Sequence, residues 1–251
     1  MRRVLLWLNF PFAWAIFLAV SGLNLLAGVL LQQLRRGDPD RRTALKVNHW
    51  IWGRALFACE PGWSTRRSGL ENMGAGPYII VANHRSVLDI PLCLGLPGPL
   101  LVRILARQSL FKVPVMGWYM RYSKHIPVDL GDPEAVRSSL KRCADTLSAG
   151  ISLLIFPEGT RSEDATLGRF GRGAFRLSKD TGVPILPVVI YGSHKLMKKG
   201  QLMPDNIYHP IELRVLPSVD GAEYNTARDF SNQVRAMIEE NLTTLQREHL
   251  V

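Results

Sequence analysis

Residues 4–34 carry no charged side chain and are dominated by Leu, Val, Ala, Phe and Trp; the first charge after them is Arg35. A bilayer core needs roughly 20 apolar residues in a helix, so the run is long enough to span one. Pro11, Gly22 and Asn24 interrupt it, leaving two forms open: one tilted or kinked spanning helix, or the first arm of a hairpin dipped into one leaflet. Residues 43–60, with Trp50, Ile51, Leu56 and Phe57 interspersed with Lys46 and Arg54, predict a second helix with an aromatic face suited to a membrane interface. From residue 64 the pattern changes to short apolar runs alternating with helical periods. Strands are predicted at 78–82, 101–106, 151–156, 185–191 and 211–216. Helices are predicted at 90–96, 116–122, 133–149, 173–179 and 227–245, with Asp132 capping the third ahead of Pro133. This alternation implies an α/β domain, a mostly parallel or mixed sheet flanked by helices, over residues 61–251, with an N-terminal membrane-associated helical hairpin over residues 1–60.

Charge and cysteine usage narrow the function. The 251 residues hold 31 Lys and Arg against 21 Asp and Glu, a formal charge of +10, which calls for an anionic partner. The basic residues are dispersed and no recognition module is visible, which argues against nucleic acid. Trp7, Trp14, Trp50 and Trp52 cluster with the apolar segments and point to lipid. Arg2 and Arg3 precede the apolar run, and the heavier group of Arg35, Arg36, Arg41 and Arg42 follows it, which favours a main domain on the cytoplasmic side. Cys59, Cys93 and Cys143 read as reduced thiols. No metal site, phosphate-binding glycine loop or dinucleotide fingerprint is present.

Two stretches carry chemistry. His84 and Asp89 stand five apart in Asn83-His84-Arg85-Ser86-Val87-Leu88-Asp89. Five helical residues turn through about 500°, so the pair can meet only if His84 lies in the loop after a strand and Asp89 in the first turns of the next helix, with Ser86 available to cap it. An imidazole there can take a hydroxyl proton while the carboxylate fixes its tautomer. Further on, Phe156-Pro157-Glu158-Gly159-Thr160-Arg161-Ser162 ends a strand in a tight turn. Its Arg161 can grip a phosphate bidentately, Thr160 and Ser162 can donate, and Glu158 can buttress Arg161 or hold a substrate hydroxyl.

The first stretch resembles the His-x4-Asp motif of the glycerolipid acyltransferases, and the second their acceptor-binding motif. Val183–Val188 and Gly117–Leu130 resemble the two remaining blocks, so the likeness covers roughly residues 70–220 in family order. The nearest members are the lysophosphatidic acid acyltransferases. The resemblance implies His84 and Asp89 as catalytic residues, with Asn83, Arg107, Glu158, Gly159, Thr160 and Arg161 binding substrate. It implies no cofactor beyond acyl-CoA or acyl carrier protein as donor, a lysophospholipid acceptor, a membrane partner and a place on the cytoplasmic side of the cell inner membrane. Backbone amides after His84, or the Arg107 guanidinium, are the candidate oxyanion donors. Leu130 stands where the family commonly has an Arg that grips the acceptor phosphate; Arg121 and Lys124 are the candidates to replace it. That departure keeps another acceptor open, such as a lyso-ornithine lipid. The reading from another class is a non-catalytic membrane lipid carrier, which leaves the four ordered motif residues unexplained.

Overall fold

The structure, a computed structural model, describes residues 38–50, 53, 57, 63–96, 98, 100–161, 166–198, 200–201 and 209–249, with isolated positions between 15 and 30. Most of the expected N-terminal hairpin lies outside the described residues. No helix among the described residues is long and apolar enough to cross a membrane.

A seven-stranded sheet organises the body. Its strands are β1 (Thr65–Ser68), β2 (Ile79–Ala82), β3 (Val102–Arg107), β4 (Ile126–Val128), β5 (Ser152–Ile155), β6 (Ile185–Tyr191) and β7 (Ile211–Val215). They lie in the order β1-β7-β6-β2-β5-β3-β4. Every pairing is parallel except β6 with β7, so the sheet is mixed. The side-chain alternation of a strand sorts the interior into two cores. Ile80 and Ala82 of β2 join Ile104, Leu154, Leu186 and Val188 on one face, while Ile79 and Val81 join Leu153, Ile155, Ile185 and Val189 on the other. Strands buried on both faces read as continuous apolar runs, which is why β2, β5 and β6 stood out in the sequence.

Seven described helices accompany the sheet: α1 (Arg42–Trp50), α2 (Asp89–Leu94), α3 (Met116–Tyr122), α4 (Pro133–Ser148), α5 (Gly173–Thr181), α6 (Ser193–Leu196) and α7 (Ala227–Glu248). Leu92 and Leu94 of α2 and Tyr119 and Met120 of α3 cover the first face. Cys143 and Leu147 of α4, Phe175 of α5 and the Phe230-Val234-Ile238-Leu242-Leu245 stripe of α7 cover the second. Asp132 caps α4 as expected, accepting from Glu134 N at 2.9 Å. Ser86 does not act as the cap of α2: its hydroxyl donates to Met197 O and accepts from Leu88 N, one turn short of the helix body.

Two strands escaped the sequence pattern. β1 is polar throughout (Thr-Arg-Arg-Ser) and β4 spans three residues, and both are edge strands. Pro127 is tolerated in β4 because an edge strand pairs on one side only. Helix α1, expected within the N-terminal unit, packs on the body: Leu45 is fully buried with Leu101 and Ile151. Arg103 of β3 donates to Asp40 O at 2.7 Å just ahead of that helix.

Candidate active site

The sheet order brings the two motifs together. β2 and β5 are neighbours in register Ile79↔Leu153 and Val81↔Ile155. Extended by three residues, that register sets His84 level with Glu158. β3 lies on the other side of β5, so Arg107 ends beside the same turn. All three residues leave the carboxyl ends of parallel strands, where open α/β sheets collect their ligands.

His84 sits in the loop and Asp89 opens α2, the one arrangement their spacing allows. His84 Nδ1 lies 2.9 Å from Asp89 Oδ2. The same oxygen accepts from Arg85 N at 2.7 Å and Ser86 N at 2.8 Å. Asp89 is fully buried, and its Oδ1 has no hydrogen-bond partner among the described residues. A carboxylate oxygen opposite Nδ1 fixes the neutral imidazole with its proton on Nδ1, leaving the Nε2 lone pair as the free base. The ring is held flat as well: Phe156 stacks on it with centroids 4.0 Å apart and planes 22° from parallel. Nothing in the sequence pattern marked Phe156 for this role beyond its place at the end of β5.

Glu158 fastens the two loops. Its Oε1 accepts from His84 N at 2.8 Å and its Oε2 from Gly168 N at 3.0 Å. A Cβ at residue 168 would stand 2.8 Å from that Oε2, so a side chain there would displace the carboxylate. Of the uses expected for Glu158, these two bonds serve buttressing, and what they hold is the His84 loop. Asn83 is likewise committed: its amide donates to Ile190 O at 2.9 Å and accepts from Ile190 N at 2.8 Å, with 1% of the residue exposed. Its side chain stitches the end of β2 to β6.

Arg107 donates through Nε and Nη2 to Gly159 O, at 3.2 and 2.8 Å. Gly159 has φ 67, a left-handed conformation that the Pro-Glu-Gly turn needs and that glycine adopts without steric cost. Gly159, Thr160 and Arg161 line a cavity of about 480 Å³ together with His84 and Arg107. Its remaining wall is largely apolar and includes Ile104, Val128, Val136, Leu140, Ile155 and Ala174. Ser162 lies outside the described residues. Leu130 lines the same cavity, 55% exposed, and also a smaller pocket with Arg107 and Lys112. Arg121, one proposed replacement for the missing family Arg, instead donates to Phe111 O and lines neither pocket; Lys124 lines neither as well.

Of the backbone amides considered as oxyanion donors, the N–H groups of Arg85 and Ser86 bond Asp89, and that of His84 itself bonds Glu158. No nucleophile is set up beside His84 by its nearest candidates. Ser86 is fully buried with its hydroxyl on Met197 O. Burial, reinforced by the Asp89 charge, pushes the Cys93 thiol well above its usual range. His194 feels the charges of Arg85 and Asp89; burial first, then Arg85, push it down to about 4, so it stays neutral. No group of metal-ligating side chains occurs among the described residues.

Known proteins resemble this chain in sequence and fold. The chain is 35% identical over 193 residues to a chloroplastic 1-acyl-sn-glycerol-3-phosphate acyltransferase of Brassica napus, covering 73% of this chain and 54% of that protein. A chloroplastic enzyme of the same name from Arabidopsis thaliana is 36% identical over 168 residues, covering 65% and 45%. The chain thus spans about half the length of these curated relatives. The crystal structure of the 1-acyl-sn-glycerophosphate (LPA) acyltransferase PlsC from Thermotoga maritima superposes with a TM-score of 0.80 at 28% identity, covering 98% of this chain and 96% of that one. Residues 64–191, which run from the start of β1 through the end of β6 and hold His84, Asp89, Arg107, Glu158 and Arg161, match the family described as Acyltransferase, and the chain belongs to that family.

Proposed function

We propose that the protein transfers a fatty acyl chain from acyl-CoA or acyl carrier protein to the free hydroxyl of lysophosphatidic acid, giving phosphatidic acid. The observation that carries this reading is His84, held by Asp89 at 2.9 Å and presented to a largely apolar cavity that also contains Arg161. The acceptor hydroxyl gives its proton to Nε2 of His84 while its oxygen attacks the thioester carbonyl carbon. Asp89 stabilises the imidazolium so formed. Collapse of the tetrahedral intermediate breaks the carbon–sulfur bond, and the departing thiolate takes the proton back from His84. Arg107 is a candidate oxyanion donor beside any backbone amide after Ser86, and Arg161 is the candidate phosphate contact. The apolar wall suits acyl chains. The names of the relatives support this acceptor, and the chain's +10 charge suits an anionic lipid.

The apolar run at 4–34 and the Arg-rich stretch after it support residues 1–60 as a membrane attachment that places residues 61–251 on the cytoplasmic face of the inner membrane. Binding through it should resist molar salt, because apolar burial outweighs screened charge.

The test is release of thiol from acyl-CoA by full-length protein given a panel of lyso-lipids. Lysophosphatidic acid should be the best acceptor, and His84→Ala should lose about 10²–10⁴-fold in rate. Preference for a phosphate-free acceptor would show that Leu130 is the informative departure and that the acceptor assignment is wrong. No release with any acceptor would return the protein to the lipid-carrier reading.

A further inference from the structure

Large apolar side chains left in solvent are concentrated in two places among the described residues. Leu23, Leu26, Val29 and Leu30 belong to the N-terminal apolar run. The others are Val87, Val113, Trp118 and Leu130, exposed by 39, 41, 56 and 55%. A single exposed apolar residue is ordinary; four from the same neighbourhood are not. Val87 and Leu130 both line the cavity that holds His84. Leu130 also shares the smaller pocket with Lys112, and Val113 follows Lys112 at the end of a 3-10 turn, Gln108–Lys112. Trp118 lies in the first turn of α3, and that helix is pressed on the same 3-10 turn. A Cβ on Gly117 would stand 2.2 Å from Phe111 O, so only glycine permits the approach.

The link between Val113 and Trp118 is strained. Val115 has φ 62 and ψ −61, and Met116 N donates to Pro114 O at 2.7 Å, which makes a three-residue γ-turn centred on a β-branched residue. Such a conformation persists only where packing over-determines it, and it is commonest at functional surfaces. Here it joins two exposed apolar side chains. The charges on this face are mostly positive. Lys112, Arg121 and Lys124 are exposed on the same stretch of chain and Arg107 at the pocket; the acids flanking Leu130 are Asp129 and Asp132, whose Oδ1 atoms accept from Gly131 N at 3.0 Å and Glu134 N at 2.9 Å.

We infer that Val113 and Trp118, with Val87 and Leu130 beside them, dock the domain on the surface of an anionic phospholipid bilayer, setting the mouth of the cavity against the headgroup layer. The contact is separate from the N-terminal attachment. Indole favours the interface between hydrocarbon and water, and the surrounding cations match anionic headgroups. The benefit to turnover rests on the lipid acceptor proposed above; the contact itself does not.

Two measurements on full-length protein test it. The first uses vesicles of equal parts phosphatidylglycerol and phosphatidylcholine, with and without bromine on the acyl chains. The difference in emission between wild type and Trp118→Phe reports Trp118. That difference should be quenched in brominated vesicles. If it is equal in both kinds of vesicle, Trp118 is outside the bilayer and the inference fails, whatever the activity; a protein partner at this face would give that result. The second compares a long-chain lysophosphatidic acid embedded in the vesicles with a short-chain one dissolved as monomer. Neither Val113 nor Trp118 lines the cavity. Val113→Ser with Trp118→Ser should therefore lower kcat/KM about tenfold on the embedded acceptor only, and Trp118→Phe should preserve it. Equal loss on both acceptors would mean a structural role and overturn the docking. Absence of turnover by wild type on both would sink the proposed acceptor, and the quenching result would still decide the contact.

Discussion

Asp89→Asn separates what the carboxylate does for the fold from what its charge does for His84. Among the described residues, all three hydrogen bonds that reach Asp89 end on Oδ2, and Oδ1 has no partner. An asparagine carbonyl can take the place of Oδ2 and keep all three donors, with the amide NH2 where Oδ1 now stands. The opposite orientation would aim NH2 at three N–H groups, so the placement is forced. The imidazole therefore keeps its tautomer, and only the negative charge goes. Two opposite charges about 4 Å apart at an effective dielectric near 20 interact by about 4 kcal/mol. Part of that remains through the amide dipole, so a loss of roughly 3–4 kcal/mol from the imidazolium-like transition state is expected. This corresponds to about 10²–10³-fold in kcat. Stability should barely change, because one unpartnered buried polar atom replaces another; a melting shift below about 4 °C is expected. The assay is thiol release at saturating substrates, with thermal melting followed by circular dichroism. A kcat within about threefold of wild type, with the fold intact, would show that the charge plays no part in turnover. A variant that fails to fold would show that the charge is there to hold the loop.

Three further outcomes follow from the same geometry. Glu158→Gln turns one of two carboxylate acceptors into a donor facing a backbone N–H; charged hydrogen bonds of this kind are worth about 1.5–3 kcal/mol, so melting should fall by several degrees and kcat with it, while acceptor KM stays near wild type. A raised acceptor KM without loss of stability would instead assign Glu158 to the substrate. Arg161→Ala should lower kcat/KM for a phosphorylated acceptor about ten- to a hundred-fold with donor KM little changed; equal effects on both substrates in steady-state kinetics would remove Arg161 as the phosphate contact. His125 is fully buried, and burial, then the charges of His49 and Arg103, push it down to about 3. Its folded form binds fewer protons than the unfolded chain, so stability is full above pH 6.5 and is lost as pH falls toward 3, by up to about 1.4 kcal/mol per unit. Urea midpoints between pH 7 and 5 should show this slope, and His125→Asn, which keeps an acceptor for Ile104 N, should flatten it; parallel slopes would count against the assignment.

What the sequence made legible is what depends on local spacing. The five-residue step from His84 to Asp89 ruled out a shared helix face and required a loop followed by a helix start, and α2 begins at Asp89. Asp132 and Pro133 announced α4 by local cap chemistry. The partners of Asn83 and Glu158 depend on strand neighbours 107 and 74 residues away, and no local pattern contains that information. An Asn and a Glu inside motif stretches therefore look like substrate ligands in the sequence, although in the structure both bond the backbone. The polar edge strand β1 and three-residue β4 lack enough alternation to signal a strand at all. The loss of an Arg at residue 130 drew attention to Arg121 and Lys124 by closeness in sequence. In space, the register Arg107↔Val128 sets Arg107 beside the Leu130 turn instead.

That substitution has a physical consequence for how the acceptor turn is held. A Cβ on Gly159 would stand 3.3 Å from Leu130 Cδ1, so Leu130 lies close against the backbone of the turn. Arg107 grips the same residue by its carbonyl. Phe156, just before the turn, stacks on His84, and Glu158, within it, bonds the His84 amide. The turn is thus fixed by an apolar contact at Leu130, a guanidinium at Gly159 O, and two contacts to the loop bearing His84. A guanidinium at position 130 would add a second cation beside Arg107, and their mutual repulsion would weaken the hold on Gly159 O unless an anion lay between them. Leucine removes that repulsion in the unliganded site. The arrangement is preorganised without a bound phosphate, and it leaves Arg161, together with any donor of Arg107 not spent on Gly159, to meet the acceptor's charge.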